Sequence, residues 1–103
     1  MDLIYVFENK LKSAITTIVE ADKFGENSFG QQGFVFKDGL AFGFEGKTLL
    51  VFRNVSDEFK RLANEKLKEF TIEVLDEEKT KEITKMLDEE DEAAQKGIGD
   101  IFG

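Results

Sequence analysis

Along residues 3–19, apolar side chains recur at Ile4, Phe7, Leu11, Ala14, Ile15 and Ile18, with Glu8, Asn9, Lys10, Lys12, Ser13, Thr16 and Thr17 between them. That is the one-faced period of an amphipathic helix. It predicts a helix from Leu3 to the neighbourhood of Ala21, with Asp2 as its N-cap. The run Asp22-Lys23-Phe24-Gly25-Glu26-Asn27-Ser28 then reads as a loop.

From Gly33 to Arg53 the period shortens to two. Gly33–Lys37, Leu40–Phe44 and Lys47–Arg53 read as three strands, separated by Asp38-Gly39 and Glu45-Gly46. Asp-Gly between apolar runs is a two-residue hairpin signal, so a three-stranded antiparallel meander is expected. The turns then set the register. One face of the meander would carry Val35, Leu40, Phe42, Phe44, Leu49 and Val51. The other would carry Phe34, Phe36, Ala41, Leu50 and Phe52. Both faces are apolar, whereas a meander in a small monomer usually leaves one face to water. Each side therefore needs a cover.

Ser56 opens the next helix as N-cap, with Asp57 and Glu58 suited to the positive end of its dipole. Phe59, Leu62, Ala63 and Leu67 form its apolar stripe, and Phe70–Val74 alternates again as a fourth strand. Asp76 caps a last helix with Ile83, Met86 and Leu87 on one side; beyond Leu87 the stripe stops and fraying is expected. The order α-β-β-β-α-β-α places the chain in the α+β class, with helices packed on the sheet. Residues 1–87 form one domain, and residues 88–103 form a mobile acidic tail with an apolar tip.

Charge sharpens this division. Residues 1–75 carry 10 basic and 12 acidic groups, whereas residues 76–92 carry 3 basic and 9 acidic groups, a net −6. Attraction to nucleic acid or to an anionic membrane is therefore disfavoured. Five phenylalanines on the meander could suggest a stacking platform for single strands, but Lys37, Lys47 and Arg53 make only a thin basic rim. Packing explains these rings better.

Cysteine, histidine, proline and tryptophan are all absent, and Arg53 and Arg61 are the sole arginines. The usual catalytic constellations and thiolate or imidazole metal sites cannot be assembled, so no enzyme, no metal and no cofactor is expected. The acids Asp88–Glu92 lack the alternating spacing and central glycine of a calcium loop. Of the nine glycines, six lie between Gly25 and Gly46, none in a phosphate-binding loop. No basic leader precedes the first element, and no apolar run approaches ~20 residues, which points to a cytoplasmic protein, cellular or viral.

The tip of the tail is Gly97-Ile98-Gly99-Asp100-Ile101-Phe102-Gly103. Apolar side chains among glycines at an end contribute to no core unless the end folds back, and their best use is to be gripped by a partner. Ile98, Asp100, Ile101 and Phe102 are the expected partner-binding residues.

The stretch from Phe29-Gly30 through Gly33-Phe34-Val35-Phe36, Asp38-Gly39 and Ala41-Phe42 to Leu49-Leu50-Val51 resembles the N-terminal domain family of TfoX, a competence regulator, over roughly residues 29–70. That family begins Arg-x-Met-Phe-Gly-Gly, of which only Phe29-Gly30 is kept here. The resemblance implies a fold similar to small secretion-chaperone-like domains and a binding role without catalytic residues. The acidic run and its tip look like the end of archaeal ribosomal stalk proteins, and Gln95-x-x-Ile98-x-x-Ile101-Phe102 is similar to a sliding-clamp-binding peptide.

Together these features predict a small acidic adaptor or chaperone-like protein that engages a protein with a basic or apolar groove through its C-terminal peptide. The competing class is a nucleic-acid-associated regulator, including one that imitates nucleic-acid charge. The two-sided meander further predicts a homodimer, with Phe34, Phe36, Leu50 and Phe52 at the interface.

Overall fold

The structure, a computed structural model, describes the backbone of residues 1–102 and the side chains of residues 1–90. Its centre is strand β1 (Leu3–Glu8), in which five consecutive apolar residues, Leu3 to Phe7, are all buried. Leu3, Tyr5 and Phe7 enter one core, and Ile4 and Val6 enter a second core on the opposite face. An uninterrupted apolar run suits a strand covered on both sides. The expected helix from Leu3 is thus corrected: the spacing of Ile4, Phe7 and Leu11 imitates a helical period, but the chain is extended as far as Glu8. A short 3-10 turn (Asn9–Leu11) leads into α1 (Lys12–Ala21), which buries Ile15 and Val19. Asp2 is not a helix cap. Its carboxylate accepts from the Asn54 amide at 2.9 Å and pairs with Arg53.

The loop after α1 folds into a single turn, α2 (Phe29–Gln32), capped by the Ser28 hydroxyl, which accepts from the Gln31 amide. Next come β2 (Val35–Asp38) and β3 (Lys47–Phe52), which pair antiparallel with Phe36 opposite Leu50 and Val35 opposite Val51. The expected middle strand, Leu40–Phe44, is also corrected, because residues 39–42 coil into a 3-10 turn. The Asp38 carboxylate caps that turn by accepting from the Leu40 amide, and Gly43 closes it in the left-handed region at φ 87°. A two-residue hairpin of the favoured type needs positive φ at its centre, and Gly39 does not have it. Leu40 and Ala41 consequently lie at the surface.

Helix α3 (Asp57–Lys66) starts at Ser56 as its sequence predicts, with the hydroxyl accepting from the Phe59 amide at 3.0 Å. Phe59, Ala63 and Leu67 are buried along one side. Of the expected fourth strand only β4 (Glu73–Val74) pairs, lying antiparallel to β1. Helix α4 (Glu77–Phe102) begins at Asp76, whose carboxylate accepts from the Lys79 amide at 2.8 Å.

The result is an α+β fold: a four-stranded antiparallel sheet ordered β2-β3-β1-β4 with helices packed on it. The predicted division of the two faces holds for Phe34, Phe42, Phe44 and the residues of β2 and β3, but not for Leu40 and Ala41, which lie in the surface turn. Phe34, Phe36, Leu50 and Phe52 pack on the side of α1, α2 and α3, whereas Phe42, Phe44, Leu49 and Val51 pack with Ile83 and Leu87 of α4. The chain thereby covers both faces itself. Of the residues expected at a dimer interface, Leu50 and Phe52 are fully enclosed by this chain, and Phe34 and Phe36 are half-buried against the same core.

Candidate functional site

Helix α4 crosses the whole sheet. It begins one turn after β4, and Leu75 still donates its amide to the Ile4 carbonyl at 3.1 Å. Ile83 and Leu87 then seat on Ile4, Val6, Leu49 and Val51 of the two central strands, and Thr80 and Thr84 of the same helix are also buried. Met86, placed with them by the sequence, lies on the flank and is 41% exposed.

Two ion pairs mark where the crossing ends. Arg53, just past β3, holds Asp88 at 3.3 Å, and Lys37 of β2 reaches Glu90 at 3.8 Å. Arg53 also pairs with Asp2 at 3.3 Å, so one guanidinium ties the start of β1, the end of β3 and α4 together. Three inter-strand spacings total about 14 Å. The rise from Glu77 to Glu90 is about 20 Å. At Glu90 the helix has therefore reached β2, the last strand on that side. Its remaining residues, 91–102, add about 18 Å of helix with no further strand of this chain beneath them.

The predicted partner-binding residues belong to that projecting part. The side chains of Ile98, Asp100, Ile101 and Phe102 lie outside the described residues.

The outer edge of β2 lies at that side of the sheet. No loop or turn among the described residues bonds its backbone there, and β3 is its sole ladder partner. Val35, on the α4 side of the sheet, is 49% exposed, and Leu40 just beyond the strand is 65% exposed. On the opposite side the ring of Phe36 stands edge-on to Phe34 and Phe7, half-buried. This edge went unnoticed in the sequence. Period-two alternation reveals a strand but not its place in the sheet, and the assumed middle strand put β2 beside the wrong neighbour.

Elsewhere the surface offers less. A hollow of about 430 Å³ between Leu3, Asn54, Lys60, Leu75 and Lys81 holds two lysines, but Glu77 pairs with Lys81 at 3.2 Å. Among the described residues no three carboxylates converge to hold a metal ion. No helix of the described residues is long and apolar enough to cross a membrane. Scanning the chain against protein-family models, curated proteins and solved structures returns no match to any of the three.

Proposed function

We propose that the protein is a small non-enzymatic adaptor that captures a partner protein through the projecting end of α4. The observation that carries this reading is the mismatch between helix and sheet: α4 finishes its crossing at Glu90, yet its helix runs on to Phe102. An amphipathic helix extended past its own core is suited to lie in an apolar groove of another protein, with positions 98, 101 and 102 as anchors. Acids 88–92 precede the anchors and favour a groove with a basic rim, which speeds encounter and makes it salt-sensitive. Imitation of nucleic-acid charge draws on the same acids. Asp88 and Glu90, however, are held by Arg53 and Lys37, which diminishes the charge such mimicry would display.

The test compares affinity capture from the native host by the full chain, by Ile98→Asp and by Phe102→Asp. A discrete set of partners lost from both variants, and recovered at lower yield as salt rises, supports the reading. Equal capture by all three proteins removes it.

A further inference from the structure

We propose that Asp38-Gly39 is a site of covalent backbone rearrangement to isoaspartate, and that the folded turn at residues 38–43 holds the reaction in check. Among the aspartates of the chain Asp38 alone precedes a glycine. With no Cβ on Gly39, its nitrogen is unshielded, and the opened chain reaches conformations that bring this nitrogen against the aspartate side chain. The carboxylate of Asp38 lies at the surface, where water reaches it.

The reaction needs no co-reactant but water. The Gly39 nitrogen bonds to the side-chain carboxyl carbon of Asp38. Its own proton, one carboxylate oxygen and one proton from solvent leave as water, and a cyclic succinimide closes. Water then adds back. Where it breaks the bond between the Gly39 nitrogen and the main-chain carbonyl carbon, that carbon becomes the free carboxylate and the solvent proton is returned. The chain then runs on through the former side chain.

The fold opposes ring closure in three ways. Closure requires the Gly39 nitrogen to eclipse Cβ of Asp38 about the Cα–C bond. At the observed ψ of 126° it lies instead beside the α-hydrogen, turned away from the side chain. The carboxylate is itself engaged, since Oδ1 accepts from the Leu40 amide at 3.0 Å. Rotation about that bond is also blocked at both ends. Asp38 is paired with Thr48 in the ladder of β2 and β3, and the Gly39 carbonyl accepts from the Phe44 amide at 2.8 Å. The Gly39 backbone packs so closely that an added Cβ would stand 2.6 Å from the Phe44 carbonyl oxygen and 2.7 Å from that of Lys47. Rearrangement therefore waits for the turn to open, a local event that needs less free energy than global unfolding. A rearranged molecule does not regain the turn. Its main chain is longer at position 38, and its carboxylate, moved to Cα, is no longer placed to accept from the Leu40 amide while Thr48 stays opposite.

The test incubates the full chain at body temperature and neutral pH, in buffer and in unfolding urea, beside the peptide acetyl-Phe-Lys-Asp-Gly-Leu-Ala-amide in both solutions. Isoaspartate is read by peptide mapping with an aspartate-specific endoproteinase, which does not cut before the rearranged residue. In urea, position 38 should react at the rate of the peptide. In buffer it should react at least about tenfold more slowly, because the open fraction of turns alone is competent. Gly43→Ala strains the left-handed position at φ 87° that closes the turn, and should raise the rate in buffer severalfold with the circular dichroism of the parent retained. Should Gly43→Ala not fold, the parent in urea below its unfolding transition supplies the same reading, its rate rising relative to that of the peptide. Equal rates in buffer and in unfolding urea overturn protection by the fold. Isoaspartate that is absent from the unfolded chain, or more abundant at another position than at 38, overturns the choice of site. A folded Gly43→Ala that keeps the parent rate overturns control by the turn.

Discussion

The Tyr5 hydroxyl donates to the Asn64 side-chain carbonyl at 2.6 Å, joining the central strand to helix α3 across 59 residues of chain. Tyr5 is otherwise enclosed, with its ring edge-on to Phe52 at 6.1 Å. Burial holds its phenol well above the usual range, since a phenolate would lose its hydration.

Tyr5→Phe should cost about 1 kcal/mol at neutral pH, the net worth of one such bond with its acceptor left half-open. The folded pKa exceeds the unfolded one, so the contribution is complete below about pH 10 and fades as pH rises beyond it. Denaturant unfolding across that range should show an alkaline decline in the parent that is shallower in Tyr5→Phe. An unchanged slope would assign the decline to other groups.

Asp22 presents the opposite sign. Burial raises its pKa, but the Lys66 ammonium at 2.6 Å, the Phe29 amide at 3.0 Å and the charge of Lys66 together outweigh that and hold the carboxyl below its ordinary value. Its stabilisation is present above the unfolded carboxylate pKa, about 4, and is lost as pH falls through the lower folded value. Asp22→Asn should lose about 1 kcal/mol at pH 7 and show a flatter acid limb in thermal melts. A parent-like acid limb would show that the contact with Lys66 contributes nothing.

Gly39 tests the corrected turn. A methyl group on it would stand 2.6 Å from the Phe44 carbonyl oxygen and 2.7 Å from that of Lys47, both rigid backbone atoms. Gly39→Ala should therefore destabilise by about 1–3 kcal/mol, the usual result of overfilling a closed site. A neutral outcome in chemical denaturation would show that the turn does not close on Gly39 in this way.

Leu87 and Phe102 separate core from docking end. Leu87→Ala should cost about 2–5 kcal/mol, since it opens space between α4 and the central strands. Phe102→Ala should leave the midpoint of thermal unfolding within a degree while partner capture falls. Comparable losses of stability in both would place Phe102 in the core and withdraw the adaptor reading.

What could be read in the sequence was what is decided locally. Ser56 and Asp76 cap their helices as expected, because a cap depends on a few adjacent residues. The two faces of the sheet were legible as well, since Phe36 and Leu50 keep a common side, as do Leu49 and Val51, whatever strand lies between them. Pairing was not legible. Leu3–Phe7 is apolar at every position, so it fits a helix or a doubly covered strand, and only the distant Leu49–Phe52 decides between them. The projecting end of α4 was visible as an apolar tip, but its relation to the β2 edge depends on where the helix crosses.

Because Leu3 lies opposite Phe52, β1 waits for a partner strand that follows it by some forty residues. A ribosome delivers β1 long before β3, and the second face of β1 stays open until Leu87 has been synthesised and can swing over it. Non-local pairing of this kind slows folding, because loop closure must precede any reward. Until β3 and α4 are both in place the apolar strand Leu3–Phe7 lacks its partner strand and one of its covers, which makes it prone to association during folding. The element that covers the second core is thus also the one whose helix runs on past the sheet.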